Sequence, residues 1–400
     1  MPFDSVPKIS VLIGADSLAT RRSGVGRMTL EIARAARVSA AVDQAELLMG
    51  DKLVGIDLID SLDDPATELS CEPPRPIPWK VALGRVPGVQ HLRQFKHSGL
   101  RRSVRRLAAT HGGQMVYHEP NMIARPVSLP TVVTINDLSW HHEPSWHPAD
   151  RLQWIHRNLP RTLRQAERFV AISEFTRDAV VRELGIAADR IDVVPLAPAQ
   201  EFQPMSAGAA AAVLARFDLV DRSYVFSIST LEPRKNFDRL LTAHLQLPPA
   251  LRQRAPLVIA GGKGWGEVLA RPAADAAIRD GTVRLLGHVA DADLIALCAR
   301  AGVFAYVSLY EGFGLPVVEA MAAGTPVLAS NTTAVGELAV GAALLVNPLD
   351  EAAITEGLRQ LIEDPAYADE LRQAGLARAA EYTWQRTIDT LVLSWRRALH

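Results

Sequence analysis

Short runs of consecutive apolar residues recur along the chain, separated by stretches with helical spacing. In the first half they are Ile9–Gly14, Ala45–Met49, Gln114–Tyr117, Thr131–Ile135, Arg168–Ile172 and Ile191–Val194. Runs this short, apolar at successive positions rather than alternate ones, predict strands of a parallel sheet covered on both faces. Helical patterns lie between them: Met28–Ala36, and Asp150–Gln165, whose Arg151, Arg157, Arg161 and Arg164 belong on a solvent-facing side. A proline-rich stretch, Pro195–Pro204, and an alanine-rich helix, Ala207–Phe217, then interrupt the series. A second series comes next: Tyr224–Ser229, Pro256–Ala260, Thr282–Leu286, Gly302–Val307, Thr325–Ala329 and Ala342–Val346, with helices such as Asp238–Leu245 and Asp291–Ala299. The last stretch, Trp384–Leu399, places Trp384, Ile388, Leu391 and Trp395 at helical spacing. The pattern predicts an α/β protein of two doubly wound domains, residues 1–198 and 199–378, followed by a terminal helical segment, 379–400.

Length agrees, since 400 residues exceed one ordinary core and suit two domains of roughly 200 residues each. A chain 48% hydrophobic and 22% charged packs rather than stays disordered. A net charge of −1 gives the molecule no general attraction to nucleic acid. Cys71 and Cys298, the two cysteines, form neither a disulfide framework nor a zinc site and suit a reducing cytoplasm. The N-terminal residues lack a signal-peptide pattern, and no run approaches a membrane span. A cytoplasmic or peripheral protein is expected.

The strand ends carry the chemistry. In Glu311-Gly312-Phe313-Gly314-Leu315-Pro316-Val317-Val318-Glu319, the glycines make a loop and Pro316 opens a short helix, Val317–Ala323, that stops at Gly324. The loop delivers free N–H groups at a helix N-terminus, a seat for an anion. Glu311 and Glu319 frame it. Thr230-Leu231-Glu232-Pro233-Arg234-Lys235-Asn236 lies after another strand. Its adjacent cations are either a solvated surface pair or a diphosphate clamp, Arg supplying a fork and Lys a point charge. Near the N-terminus, Gly24-Val25-Gly26 lets backbone approach a phosphate, but it lacks the third glycine of a dinucleotide fingerprint.

These segments resemble glycosyltransferase family 4 (GT4), retaining enzymes of the GT-B fold. Glu311-x7-Glu319 enclosing Phe313-Gly314-Leu315-Pro316 is similar to the family signature, and Pro233-Arg234-Lys235-Asn236 to its phosphate-binding motif. Gly261-Gly262-Lys263-Gly264 and Leu286-Gly287-His288-Val289 resemble further landmarks. Ser23-Gly24-Val25-Gly26-Arg27, Asn136-Asp137-Leu138-Ser139-Trp140 and Ser145-Trp146-His147-Pro148 resemble the bacterial mannosyl- and rhamnosyltransferases of O-antigen or exopolysaccharide assembly.

The resemblance implies a nucleotide-sugar-binding second domain, an acceptor-binding first domain, and a terminal helix that crosses back to the first domain. It implies Glu319 as acceptor of ribose hydroxyls, Glu311 as partner of the donor sugar, and Arg234 and Lys235 as neutralisers of the diphosphate. Gly24, Gly26, Phe313, Gly314 and Leu315 would complete the donor site, with His288 and Val289 near the base. His118 would stand beside the donor sugar and Asp137 toward the acceptor; Asn136 replaces the family's frequent histidine. GDP is implied as the nucleotide, with no cofactor and no metal. A glycosidase pair needs carboxyls on opposite sides of the bond, and these two share one loop. A UDP-sugar donor and a catalytically inactive glycan-binding protein are the alternative readings.

From Pro73 to His118 there is no acid, against nine Lys or Arg: Arg75, Lys80, Arg85, Arg93, Lys96, Arg101, Arg102, Arg105 and Arg106. A solvated helix face is one reading. An anionic membrane surface bound through Arg93–Arg106 is the other, in keeping with the lipid-linked glycan acceptors of the family. No aromatic interleaving supports nucleic acid.

Overall fold

The computed structural model describes residues 7–19, 24–61, 89–111 and 114–400, without the side chains of 19 and 89–98. Cys71, Arg75, Lys80 and Arg85, and the side chains of Arg93 and Lys96, lie outside the described residues.

Among the described residues the first sheet has seven strands in the order β3-β2-β1-β4-β5-β6-β7. They are β1 (Ile9–Gly14), β2 (Val42–Met49), β3 (Lys52–Gly55), β4 (Met115–Glu119), β5 (Thr131–Ile135), β6 (Arg168–Ala171) and β7 (Ile191–Val193). The second has six, β10-β9-β8-β11-β12-β13, from β8 (Val225–Ile228), β9 (Leu257–Ala260), β10 (Val283–Gly287), β11 (Val303–Tyr306), β12 (Val327–Ser330) and β13 (Leu344–Val346). The pairings are parallel except that of β2 with β3. The short antiparallel β3 did not register in the hydrophobic pattern, because it is a half-exposed edge. Each order reverses beside its first strand, between β1 and β4 and between β8 and β11, and ligands of such sheets bind at the carboxyl ends around that switch.

The helices that pack on these sheets include α1 (Gly24–Val38), α2 (Val89–Thr110), α3 (Ala149–Gln165), α4 (Glu174–Leu184), α5 (Asp291–Ala299), α6 (Leu315–Ala322) and α7 (Trp384–Ala398). Strands β1, β5 and β11 are buried at every position, as sheets sandwiched between helices require. Helix α7 leaves the second domain and lies across β1, β4, β5, β6 and β7 of the first. Its Trp384, Ile388, Leu391, Val392 and Trp395 are buried, and each such side chain contributes about 1.5–3 kcal/mol. Trp384 Nε1 and Thr387 Oγ1 donate to the carbonyls of Pro198 and Pro195 in the connecting stretch. The two halves are thereby bound twice, by that stretch and by α7.

Candidate active site in the interdomain cleft

The carboxyl edges of the two sheets meet. After β5, the carbonyl oxygen of Asn136 lies so close to Gly312 that a Cβ there would fall 1.7 Å from it. After β6, Ser173 Oγ and Thr176 Oγ1 both donate to the Gly312 carbonyl, at 2.7 and 3.0 Å. Glu337, in the second domain, accepts the N–H groups of Glu174 and Phe175 at the start of α4, a favourable place for a carboxylate. The indole N–H of Trp265 donates to the Trp146 carbonyl, and the Arg151 guanidinium covers that indole ring at 5.6 Å. The Glu311–Glu319 loop is therefore part of the domain contact.

Gly314 is the residue just before α6, and its φ of +103° suits glycine and costs other residues strain. Gly314 has no side chain to cap the first turn; Pro316 has no N–H and those of Val317 and Val318 donate to the Gly314 carbonyl, so the Leu315 N–H is the first-turn donor that an anion could take. Pro233–Lys235 forms a 3₁₀ turn rather than the start of a helix, and Asn236 sits next in the left-handed region. Asn236 Nδ2 donates to the carbonyls of Val307 and Pro348, at 2.8 and 2.7 Å. That buried anchor aims the two cations at Glu311.

Lys235 Nζ donates to Glu311 Oε1 at 2.6 Å and to Tyr306 Oη at 3.0 Å. Arg234 Nη1 donates to Glu311 Oε2 at 3.1 Å and to the Tyr310 carbonyl at 3.0 Å. Glu232 pairs with Arg234 as well. Burial works to raise the Glu311 carboxyl, but Lys235 and Arg234 overcome it and hold the group below its ordinary range. Burial and the neighbouring Arg234 pull the Lys235 ammonium down. Burial also works to raise Asp137, and Arg234, with the Ser139 hydrogen bonds, outweighs it and holds that carboxyl low. Asp137 accepts from the Ser139 N–H and, at 2.7 Å, from Ser139 Oγ, and that hydroxyl lies 3.1 Å from His147 Nε2. Cations of the second domain thus face a carboxylate of the first across the cleft.

Glu319 sits apart from this cluster on the buried side of α6, 4% exposed. Burial raises its carboxyl to about 7, against the pull of Arg27.

Among the expected site residues, Asp137, Arg234, Lys235 and Glu311 come together, and the Gly314–Leu315 turn follows Glu311 on the same loop. Gly24 and Gly26 fall within the first turn of α1 rather than in a loop before it. His288 is exposed and Val289 buried after β10. Phe313 is buried with its ring edge-on to Tyr382, 5.7 Å away, so it anchors the loop.

His118 is placed differently from the expectation. It belongs to β4 itself, with Nε2 2.8 Å from Thr134 Oγ1 and its ring 5.6 Å from that of Trp395 on α7. It is 0% exposed, and burial lowers its imidazole to about 3. Alternation along the strand turns His118 toward α7 and leaves Glu119 at the mouth of β4. Glu119 accepts from Tyr117 Oη at 2.5 Å, and burial raises its carboxyl to about 8. Tyr306, Asn236 and Ser173 were not among the expected site residues. In the sequence Asn236 carried a signal as the last residue of Pro233–Asn236, and Ser173 as the first polar residue after the Arg168–Ile172 run; Tyr306, inside a strand, carried none.

Comparisons with known proteins agree with this architecture. A family model described as Glycosyltransferase Family 4 matches residues 62–197, and one described as Glycosyl transferases group 1 matches residues 217–378. The chain is 30% identical over 377 residues to the O-antigen chain mannosyltransferase B of Escherichia coli, covering 94% of this chain and 97% of that protein. It is 28% identical over 288 residues to the MMP α-(1→4)-mannosyltransferase of Mycolicibacterium hassiacum, covering 69% of this chain and 64% of the other. The Anabaena HepE structure in complex with UDP and glucose superposes with a TM-score of 0.68 at 18% identity, over 96% of this chain and 98% of HepE; that likeness shows the GT-B fold. With one family model on each side of the connecting stretch and a relative aligned almost end to end, the chain belongs to glycosyltransferase family 4 and is a glycosyltransferase.

Proposed function

We propose that the enzyme transfers mannose, or a derived deoxyhexose such as rhamnose, from a GDP-sugar to a lipid-linked or growing polysaccharide, with retention at the anomeric carbon. The observation that carries the reading is the convergence of Arg234 and Lys235 on Glu311 beside the uncapped start of α6. The bond between the anomeric carbon and the diphosphate breaks as the acceptor oxygen joins the same face. The acceptor's proton passes to the departing phosphate oxygen. The products are the nucleoside diphosphate and the glycoside.

Charge grows on the leaving group, and preorganised cations and N–H groups stabilise it without reorganising at the moment of reaction. Glu311, held ionised, accepts hydroxyls of the sugar. Glu319 accepts those of the ribose. Asp137 orients the acceptor. The sugar and base are inferred from the likeness to the Escherichia coli mannosyltransferase. A UDP-sugar is the competing donor, and a retained glycan-binding role without catalysis is disfavoured by the intact cluster.

The test is transfer of labelled mannose from GDP-mannose to extracted lipid-linked glycan, with and without EDTA, and proton NMR of the product linkage. Arg234 and Lys235 take the part of a metal ion in this reading, so EDTA leaves the rate within about twofold. A label moved only from UDP-sugars, or a rate abolished by EDTA, contradicts it. Thermal shift against GDP, UDP and NAD gives a parallel readout, since a ligand at 100 times its Kd stabilises by about 2.7 kcal/mol.

The acceptor reading includes an anionic membrane. On α2, Leu100 and Val104 are buried while Arg102, Arg105 and Arg106 are exposed. On α3, which packs into the same core, Trp154 is 53% exposed, and Arg157 and Arg164 of the same helix are exposed. Basic side chains near such a surface contribute about 1 kcal/mol each. No helix among the described residues is long and apolar enough to cross a membrane. Flotation with phosphatidylglycerol vesicles is expected to lift the wild type and not the variant carrying Arg102→Glu, Arg105→Glu and Arg106→Glu; a wild type left in the soluble fraction removes the membrane from the proposal.

A further inference from the structure

Arg27 stands where the first domain, the second domain and their connection meet. It is the fourth residue of α1, and its Nη1 lies 3.4 Å from Glu319 Oε1 on α6. Its Nη2 lies 2.5 Å from Asp291 Oδ1 at the first turn of α5. Its guanidinium rests 5.9 Å from the ring centroid of Phe202 in the connecting stretch. A planar fork suits this task and a lysine does not, because two carboxylates on separate helices are reached at once.

We propose that Arg27 is a positioning residue that joins closure of the two domains to donor recognition, by engaging the ribose-reading carboxylate of Glu319 from across the cleft. The inference rests on the ribose role proposed for Glu319. A ribose diol donates two hydrogen bonds and needs both carboxylate oxygens as acceptors, so the ionised form binds it best. Among the described residues, the charged groups that act on Glu319 include Arg27 from α1, Asp291 from α5 and Glu201 from the connection, with the Cys298 thiol on α5 close by. Burial, Asp291 and Glu201 all oppose ionisation, and Arg27 favours it. When the domains separate, Arg27 leaves, and Glu319 loses the cation that keeps it ready near neutral pH.

Removing that cation shifts the protonation of Glu319 to higher pH. Nucleotide affinity then falls at neutral pH and returns in alkali. The experiment measures the Kd of GDP from pH 6 to pH 9.5 for wild type, Arg27→Gln, Arg27→Lys and Glu319→Gln. Arg27→Gln is expected to bind about tenfold more weakly at pH 7, the loss of one charge-assisted contact, and to recover above pH 9. Arg27→Lys recovers part of the loss. Glu319→Gln is weak and flat across the range. An Arg27→Gln profile parallel to that of the wild type overturns the coupling, since a merely structural loss lowers affinity equally at every pH. If instead Glu319→Gln binds GDP as the wild type does, the ribose reading itself fails. Should Arg27→Gln fold poorly, Arg27→Met, which keeps the apolar stem and also lacks the charge, is read by the same criterion.

Discussion

Lys235→Ala is expected to lower kcat by about two to three orders of magnitude while the protein still folds. Its side chain is 8% exposed and holds Glu311 Oε1 at 2.6 Å. On the proposed reading its ammonium faces the diphosphate whose charge grows as the glycosidic bond breaks. Deleting one preorganised donor of this kind costs about 2.7–4 kcal/mol of barrier. Ground-state donor binding suffers less, because the charge is largest in the transition state. A second effect accompanies the first. Burial already pushes the Glu311 carboxyl upward, and Lys235 is the strongest opposing influence. Without it Glu311 ionises at higher pH, and the acidic limb of the rate profile moves upward. Arg234 remains at 3.1 Å and the Tyr306 hydroxyl still donates to Oε1 at 3.0 Å, so the carboxylate keeps two partners, and a circular-dichroism melt serves as the folding control. A kcat within threefold of the wild type would place the cations outside the leaving-group site.

Gly312→Ala is expected to separate chemistry from nucleotide binding. The atoms nearest a Cβ built on Gly312 are those of the Asn136 carbonyl, its oxygen at 1.7 Å, and Asp137 Cβ at 3.0 Å, all in the first domain. The added methyl therefore meets nothing closer than that within its own domain, and both sheets keep their packing. It forces the domains apart by more than an ångström at the loop that carries Glu311. Misplacement on that scale costs about a hundredfold in rate. The Kd for GDP, set within the second domain, changes by less than about threefold at alkaline pH, where Glu319 is ionised with or without Arg27. An unchanged kcat would mean that the closed contact is not the reacting arrangement. A parallel collapse of GDP affinity would mean that the loop itself has deformed.

The legible parts of this protein were those coded by neighbours in the chain. Buried strands such as Ile9–Gly14 and Val303–Tyr306 announce themselves as unbroken apolar runs, because helices cover both faces of the sheets. Gly314, Pro316 and the pair Arg234–Lys235 mark a turn, a helix start and a cation pair, each within a few residues of chain. Their meeting at Glu311 could be expected because strand ends of one parallel sheet share an edge.

His118 shows the limit. Strand alternation says that it faces opposite to Tyr117 and Glu119, but which face is open depends on where the last helix goes. Helix α7, at the far end of the chain, covers that face with Trp395 and turns a strand-end histidine into core. Arg27, Gly312 and Ser173 show the same limit in the cleft. Arg27 meets Glu319, Gly312 meets Asn136 and Ser173 meets Gly312, each pair well over a hundred positions apart in the chain. By itself the sequence determined the two sheets, the glycine–proline turn before α6 and the residues Arg234, Lys235 and Glu311 that cluster at the strand ends, since those rest on periodicity and local turn chemistry. Only the tertiary structure decided which carboxylate meets which cation across the cleft and which histidine is buried. Those contacts depend on how two separately built domains close on each other, and no local pattern carries that.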